Sequence, residues 1–359
     1  MYKIADEDIV KLLAWYRKKG RHFPWRNTGN PYDVWISEIM LQQTRTEAVI
    51  SYFLRFKEEF PDVKALANAD EERLMRLWEG LGYYSRARNL KKCAARLMEE
   101  YEGKIPEDYK TLLSLPGIGP YTAGAILSIA YGRPYPAVDG NVLRVFSRYL
   151  GIKEDIRLDP VRKKMEEVIL AFYEDHKDFS KEDVSAFCQA LMDLGAMICL
   201  PKGKTVCEDC PLNKNCYAFS NDRIDQLPYR SKNKERKIVD RTLFILRDGE
   251  RFLLSRRKQS GLLALMYEFI GVDKKLSKDE AKQFLNQRGF EVLRMKSLPS
   301  SKHIFSHLEW HMDAYEVFIG DWHLPLKENE VLVTREELDK MALPSAFKTY
   351  IDYYALRKS

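Results

Sequence analysis

LPGIGPYTAGAIL, residues 115–127, decides the reading of the N-terminal part of this chain. Gly117 and Gly119 bracket Ile118 between two prolines, and an apolar helical pattern follows. Glycines at such a turn let the backbone reverse tightly and turn N–H groups outward, and the next helix adds its positive end. A turn of this kind holds a phosphate without reading bases, although the same turn also serves as a plain connector between helices. Outward from it, apolar residues recur at three- and four-residue steps in DIVKLLAWYRKKG, VWISEIMLQQT, AVISYFLRFKEEF, EERLMRLWEGL and RNLKKCAARLMEEY upstream. Downstream the same period runs through NVLRVFSRYLG, KKMEEVILAFYEDH and VSAFCQALMDLGAMIC. The connections carry Gly, Pro, Asp and Asn, so residues 1 to 221 read as a mainly α domain.

The texture changes after that. DRIDQLPYRSKNKERK, centred on residues 222–238, is polar, basic and broken by Pro228, as suits a linker near phosphates or simply in solvent. RTLFILRDGERFLLSRR then presents two β-prone runs around Asp248-Gly249, a hairpin signal. KDEAKQFLNQRG reads as helix, HIFSHLEWHMDAYEVFIG as strand, and VTREELDKMALPSAFKTYIDYY as helix again. Residues 239–359 therefore form a second, α+β domain. Length 359 and 45% hydrophobic residues supply cores for both. The net charge of +6 is compatible with a polyanionic partner and weak by itself. The start of the chain lacks the apolar core of a secretory signal, and no apolar run approaches a membrane span of about 20 residues. The expectation is a soluble intracellular protein, in a bacterium a cytoplasmic one close to the nucleoid.

Three constellations carry chemistry. Cys199, Cys207, Cys210 and Cys216 are spaced C-x7-C-x2-C-x5-C on a loop with Pro and Gly. Reducing conditions favour metal ligation over disulfides, and soft thiolates select zinc or an iron–sulfur cluster. Spacing alone does not separate the two; the tight x2 and x5 intervals favour a 4Fe–4S cluster. Cys93 and Cys188 fall in helical patterns and read as core. Asp139, in PAVDGNVLRVFSR, stands where a helix N-cap belongs, and a capping carboxylate is held rigid and ionised. Glu38 sits among Val34, Trp35, Ile36, Ile39, Met40 and Leu41. Buried in that company, it would keep its proton and serve as a general acid; on the polar stripe it would face solvent. Together the two carboxylates suit cleavage of a glycosidic bond, one at the leaving group and one at an oxocarbenium-like centre. The phosphate-binding turn favours a nucleobase as the leaving group.

WISEIMLQQT, GLGYYSRARNL, LPGIGPYTAGAI, VDGNVLRV and LGAMIC with its C-x2-C-x5-C tail occur in this order, and the chain thereby resembles the helix-hairpin-helix DNA glycosylases, specifically the MutY-type adenine DNA glycosylases. The resemblance implies a helix-hairpin-helix subdomain (27–133), a cluster-bearing subdomain (1–26 with 134–221) and a Nudix-like domain that reads 8-oxoguanine. It implies a monomer acting on double-stranded DNA with 8-oxoguanine:A or G:A pairs. By position, Glu38 matches the acid that protonates the flipped adenine and Asp139 the carboxylate beside the anomeric carbon, with Tyr121 and Asn141 assisting. Arg26, Trp25 and Gln189 match the adenine pocket. Gln43, Leu81 and Tyr83 match the wedge that fills the stack where the base leaves, a step that offsets part of the few kcal/mol of unstacking, and Thr44 beside them is a substrate-binding candidate. Gly117 and Gly119 match the phosphate-holding turn.

In the C-terminal domain Phe305, Ser306 and His307 match the family's recognition loop, and the Nudix metal-binding signature is missing, so binding without hydrolysis is implied. SGLLALMYEF resembles a family segment and is read as core and linker packing. The family usually shows x6 where x7 stands here; Gly203 would absorb the extra residue, and Lys202 and Lys204 could meet phosphates. Endonuclease III resembles the same helical part but carries a lysine in the slot of Tyr121. A phenol forms no Schiff base, so base removal without strand cutting is expected. The competing readings are an endonuclease III-like glycosylase for oxidised pyrimidines or mismatched thymine, and a non-catalytic DNA-binding scaffold around a zinc knuckle.

Overall fold

A computed structural model describes residues 2–201, 205–231, 235–249, 251–259, 261–305, 307–320, 325–341 and 343–355. The expectations placed on Lys202, Gly203, Lys204 and Ser306 lie outside the described residues. The helices of the N-terminal part are α1 (Asp6–Lys19), α2 (Pro31–Leu41), α3 (Thr46–Glu59), α4 (Val63–Ala67), α5 (Glu71–Leu77), α6 (Ser85–Tyr101), α7 (Tyr109–Ser114), α8 (Pro120–Ala125), α9 (Gly140–Leu150), α10 (Asp159–Asp175), α11 (Lys181–Met197) and α12 (Tyr217–Ser220). The remaining part holds β1 (Lys237–Asp248), β2 (Arg251–Arg256), β3 (Tyr267–Val272), α13 (Lys278–Gln287), β4 (Val292–Ile304), β5 (Leu308–Ile319), β6 (Glu330–Thr334), α14 (Arg335–Lys340) and α15 (Lys348–Ala355). The chain divides into two compact units, residues 1–69 with 86–232, and residues 70–85 with 233–359. Among the described residues no helix is long and apolar enough to cross a membrane.

The first unit is helical. Asn30 caps α2 through its side-chain oxygen, which accepts from the Tyr32 N–H at 3.0 Å, and Pro31 occupies the first helical position. The helix is apolar nearly all round, so Tyr32 through Met40 are all buried. Its C-terminal carbonyls would be stranded in that interior. Arg86, at the start of α6, donates to Ile39 O (2.6 Å), Met40 O (3.1 Å) and Gln42 O (2.6 Å) and satisfies them. The helix ends there, so Gln42, Gln43 and Thr44 form a turn, not the continued helix that the periodicity of VWISEIMLQQT suggests. Helices α4 and α7, of five and six residues, are too short to show a period in the sequence. The glycine turn forms as read. Gly117 has φ +79°, and a side chain there would meet the Asn89 Cβ at 2.7 Å. Helix α8 then runs on as a π-helical turn, Ile126–Ala130. A second core packs α1, α9, α10 and α11 together through Leu12, Phe146, Met165 and Phe187.

The second unit is built on a mixed sheet of order β4-β5-β1-β3-β2-β6. Along β1 alternate side chains enter different cores, Leu243 and Ile245 on one face, Phe244 and Leu246 on the other. Helix α13, closed at its start by a Ser277–Glu280 capping box, covers the second face with Ala281 and Leu285. Phe347, Tyr350 and Tyr354 cover the first.

Two expectations are corrected here. The hairpin at Asp248-Gly249 pairs only at its tip, Arg247↔Phe252 and Asp248↔Arg251. Beyond the tip β3 enters between β1 and β2, because MYEF, read as packing, is a strand whose Phe269 and Ile270 are buried. In VTREELDK the first two residues end strand β6, and the Thr334 side chain then caps α14.

Candidate active site

The deepest chemistry lies in one cavity of about 610 Å³ within the first unit. Its walls come from the segment after α1, from α2, from α8 and its π turn, from the start of α9, and from α11. Glu38 reaches it from the apolar body of α2 and is 6% exposed, which removes the solvent-facing alternative. Burial pushes its carboxyl up to about 7; the bond from Tyr121 and the charge of Arg26 pull down, and Asp139 pushes further up. The Tyr121 hydroxyl donates to Glu38 Oε2. Burial first, then the neighbouring carboxylates, hold that phenol well above its ordinary range, so it remains a donor.

The N-cap expected at Asp139 is present. Asp139 caps α9, with Oδ1 accepting from Asn141 N (2.9 Å) and Val142 N (2.8 Å), and it lines the cavity. Its Oδ2 accepts from Asn141 Nδ2 at 2.7 Å. Burial raises its pKa, and the bonds from Val142 and Asn141 oppose the rise by favouring the anion. Asn141 is held in turn by Arg144, whose Nη2 donates to Asn141 Oδ1 (2.8 Å) and Gly195 O (2.6 Å). Gly195 permits this approach, since a side chain there would meet the Asn141 Cβ at 2.5 Å.

The opposite wall is α11. Gln189 Nε2 donates to Ser185 Oγ at 3.1 Å, and Ser185 Oγ donates to Ile129 O at 2.9 Å, a carbonyl of the π turn. Gln189 Oε1 is buried and accepts no hydrogen bond among the described residues, which leaves an acceptor at this wall of the cavity. Trp25, stacked on Phe23 at 5.0 Å and edge-on to Phe53 at 5.3 Å, makes a flat apolar wall. Arg26, Gln43 and Thr44 also line the cavity.

The structure therefore brings together Glu38, Tyr121, Asp139, Asn141, Arg26, Trp25, Gln189, Gln43 and Thr44. Gly117 and Gly119 precede the α8 wall without entering the cavity lining. Leu81 and Tyr83 belong to the second unit and do not line the cavity. Leu81 is buried, and Tyr83 is exposed on a turn with φ +49°. In the second unit, the Phe305 ring packs edge-on against Trp310 at 4.8 Å, and His307 is exposed. Sequence reasoning missed Arg21, Ser185 and Asp193. The signal was present, since Ser185, Gln189 and Asp193 are polar residues at four-residue steps in a helix that is apolar beyond its charged first turn.

The four cysteines of the loop are unbridged, and all line one small, mostly apolar cavity beside α9 and α11. Among the described residues no group of three or more Cys, His, Asp or Glu side chains is drawn into a metal-ligand shell. The donor set nevertheless fits a thiolate-held centre. Cys199 Sγ accepts from Arg148 Nη1 at 3.2 Å, a bond suited to a thiolate. Burial pushes the Cys210 thiol up to about 12, a cost that a bound cationic centre reverses. Cys93 and Cys188 are buried core residues, as read.

Comparison with known proteins agrees with this architecture. The family model described as HhH-GPD superfamily base excision DNA repair protein matches residues 36–170, and a NUDIX domain model matches 242–353. A solved thermostable thymine-DNA glycosylase aligns with TM-score 0.53 and 28% identity over 59% of this chain and 94% of its own. Fold and site thus define a base-excision repair protein with a helix-hairpin-helix glycosylase domain and a C-terminal NUDIX domain. An adenine DNA glycosylase of Buchnera aphidicola (subsp. Acyrthosiphon pisum) is 34% identical over 84% of each chain, and that of Mus musculus is 32% identical over 88% of this chain and 71% of its own. The chain belongs to the adenine DNA glycosylase family.

Proposed function

We propose that this protein excises adenine mispaired with 8-oxoguanine or guanine from double-stranded DNA, by hydrolysis of the N-glycosidic bond and without strand cutting. The observation that carries the mechanism is the pairing, across one cavity, of a buried Glu38 held by Tyr121 with an Asp139 held as an N-cap. A flipped adenine stacks on Trp25. Its exocyclic amine donates to the orphaned Gln189 Oε1, which favours adenine over bases that present a carbonyl there. Glu38, protonated near neutral pH, gives its proton to the five-membered ring as the C1′–N9 bond breaks, and the bond electrons leave with the base. The positive charge left on the sugar faces the Asp139 carboxylate until water adds to C1′ and gives its proton to the now ionised Glu38. Tyr121 and Asn141 orient the two carboxyls. Tyr121 offers no amine for a Schiff base, so the abasic site is left intact.

Gly117 and Gly119 hold a DNA phosphate. Gln43, Leu81 and Tyr83 occupy the opened stack, and Thr44 contacts the substrate. In the domain of residues 239–359, joined through 222–238, Phe305, Ser306 and His307 read the 8-oxoguanine. Cys199, Cys207, Cys210 and Cys216 would hold a 4Fe–4S cluster, which supplies structural and electrostatic support to this part of the chain and no step of the reaction. The test is single-turnover base release from duplexes with one 8-oxoguanine:A, G:A, C:8-oxoguanine or thymine-glycol site. Loss of adenine alone, with strand breaks only after alkali, is the expected result. Cleavage at thymine glycol with silence at adenine would overturn the proposal.

A further inference from the structure

We propose that Asp193 is a positioning residue of this active site, clamping Arg26 and Arg21 into the cavity wall and offsetting part of the charge that Arg26 presents to Glu38. The inference rests on the reading of Glu38 as the general acid. Asp193 is wholly buried in α11, between apolar neighbours such as Leu191 and Leu194. A carboxylate in that place is costly unless it is fully paired. Its pairing is complete. Oδ1 accepts from Arg26 Nη2 (2.8 Å) and Arg21 Nε (2.8 Å), and Oδ2 accepts from Arg26 Nη1 (2.7 Å) and the Arg21 backbone N–H (2.9 Å). Arg26 Nη1 also donates to Arg21 O at 2.8 Å, so the two arginines are tied to each other as well as to α11. A planar guanidinium gripped at both Nη atoms has little freedom left.

Both arginines line the cavity that holds Glu38. The groups that bear on Glu38 come from four elements: Tyr121 of α8, Asp139 at the cap of α9, Arg26 after α1, and Cys188 of α11. Among these Arg26 is the cation, and its charge favours the ionised form of Glu38. Asp193 faces Arg21, Arg26 and Tyr16. Burial would raise the Asp193 carboxyl, but the Arg26 and Arg21 bonds outweigh it and hold it below the ordinary range, so it stays anionic. The anion lets Arg26 stand at the pocket wall while weakening its pull on the proton of the acid. Once bound DNA excludes water from the site, such charge effects grow.

The measurement is the pH dependence of single-turnover adenine release from a G:A duplex. In the wild type the rate falls as pH rises through the Glu38 titration. Asp193→Asn removes the anion and leaves two arginines, so the alkaline limb moves down by about one pH unit or more. Arg26→Gln moves it up, and Arg26→Gln with Asp193→Asn brings it back toward wild type. Asp193→Glu restores the limb. The Arg26→Gln arm keeps the inference testable should Asp193→Asn fold poorly. Limbs that coincide in all variants, with only uniformly lower rates, would reduce Asp193 to a structural residue and overturn the inference. A wild type that releases no adenine would overturn the functional reading instead. The Glu38 carboxyl titration followed by carbon-13 NMR in wild type and Asp193→Asn would then decide the inference by the same downward shift or its absence.

Discussion

Glu38→Gln should slow adenine release severely and, at alkaline pH, stabilise the protein. Glu38 titrates near 4.5 in an unfolded chain and about 7 when folded, because the elements packed over α2 bury it. Below pH 4.5 it is neutral in both states. Between those values only the folded chain keeps the proton, so raising the pH favours unfolding. Above about 7 the full cost of a buried carboxylate is present. At 1.36 kcal/mol per decade of proton affinity, that cost is about 3 kcal/mol. Glutamine has the same shape and no charge, so the variant escapes the cost. For a unit of this size the gap corresponds to roughly 6–12 °C in melting temperature. The amide brings an N–H2 that needs an acceptor, at about 1 kcal/mol, but that term does not vary with pH. The diagnostic is therefore the slope. Thermal melts of both proteins from pH 4 to 8.5 should show a difference that grows in favour of glutamine between pH 4.5 and 7 and then levels. A difference constant over that range would refute the argument that burial shifts this carboxyl. Activity should fall by about 10²–10⁴-fold, the usual contribution of a general acid.

Asp139→Asn keeps the N-cap but loses the bond from Asn141 Nδ2, so stability should fall by only about 1 kcal/mol while base release drops by about 10²–10³-fold; equal losses of stability and activity would point to a capping role alone. Tyr121→Lys should yield an adduct trapped by borohydride on mispaired duplex, and the wild type should yield none; trapping by the wild type would count against the phenol argument. Cys210→Ser should lower iron content and the visible absorption band together, and a colourless wild type carrying zinc would sink the cluster assignment. Deleting residues 239–359 should reduce the preference for 8-oxoguanine:A over G:A more than it reduces G:A cleavage, and equal losses would remove the reading role from that domain.

Much of this protein is written in local pattern. The helical periods of the first unit, the glycine turn at Gly117 and the capping position of Asp139 depend on neighbours within a few residues, and such neighbours are visible in a string. The four-cysteine spacing is equally local, and so is the chemistry it admits. What the string left undecided were distances across the fold. Whether Glu38 faced solvent or core depended on α3, α8 and the π turn closing over α2. Whether Asp248-Gly249 began a full hairpin depended on β3, which arrives from later in the chain to part β1 from β2. The pairing of Asp193 with Arg21 and Arg26 joins residues more than 160 positions apart, and no period or spacing marks it. Sequence alone thus determined which side chains could do the chemistry, because residue type and local backbone set their donors, acceptors and rigidity. Tertiary structure decided which of them are desolvated and charge-paired, because burial and Coulomb interactions depend on distance in space and not along the chain.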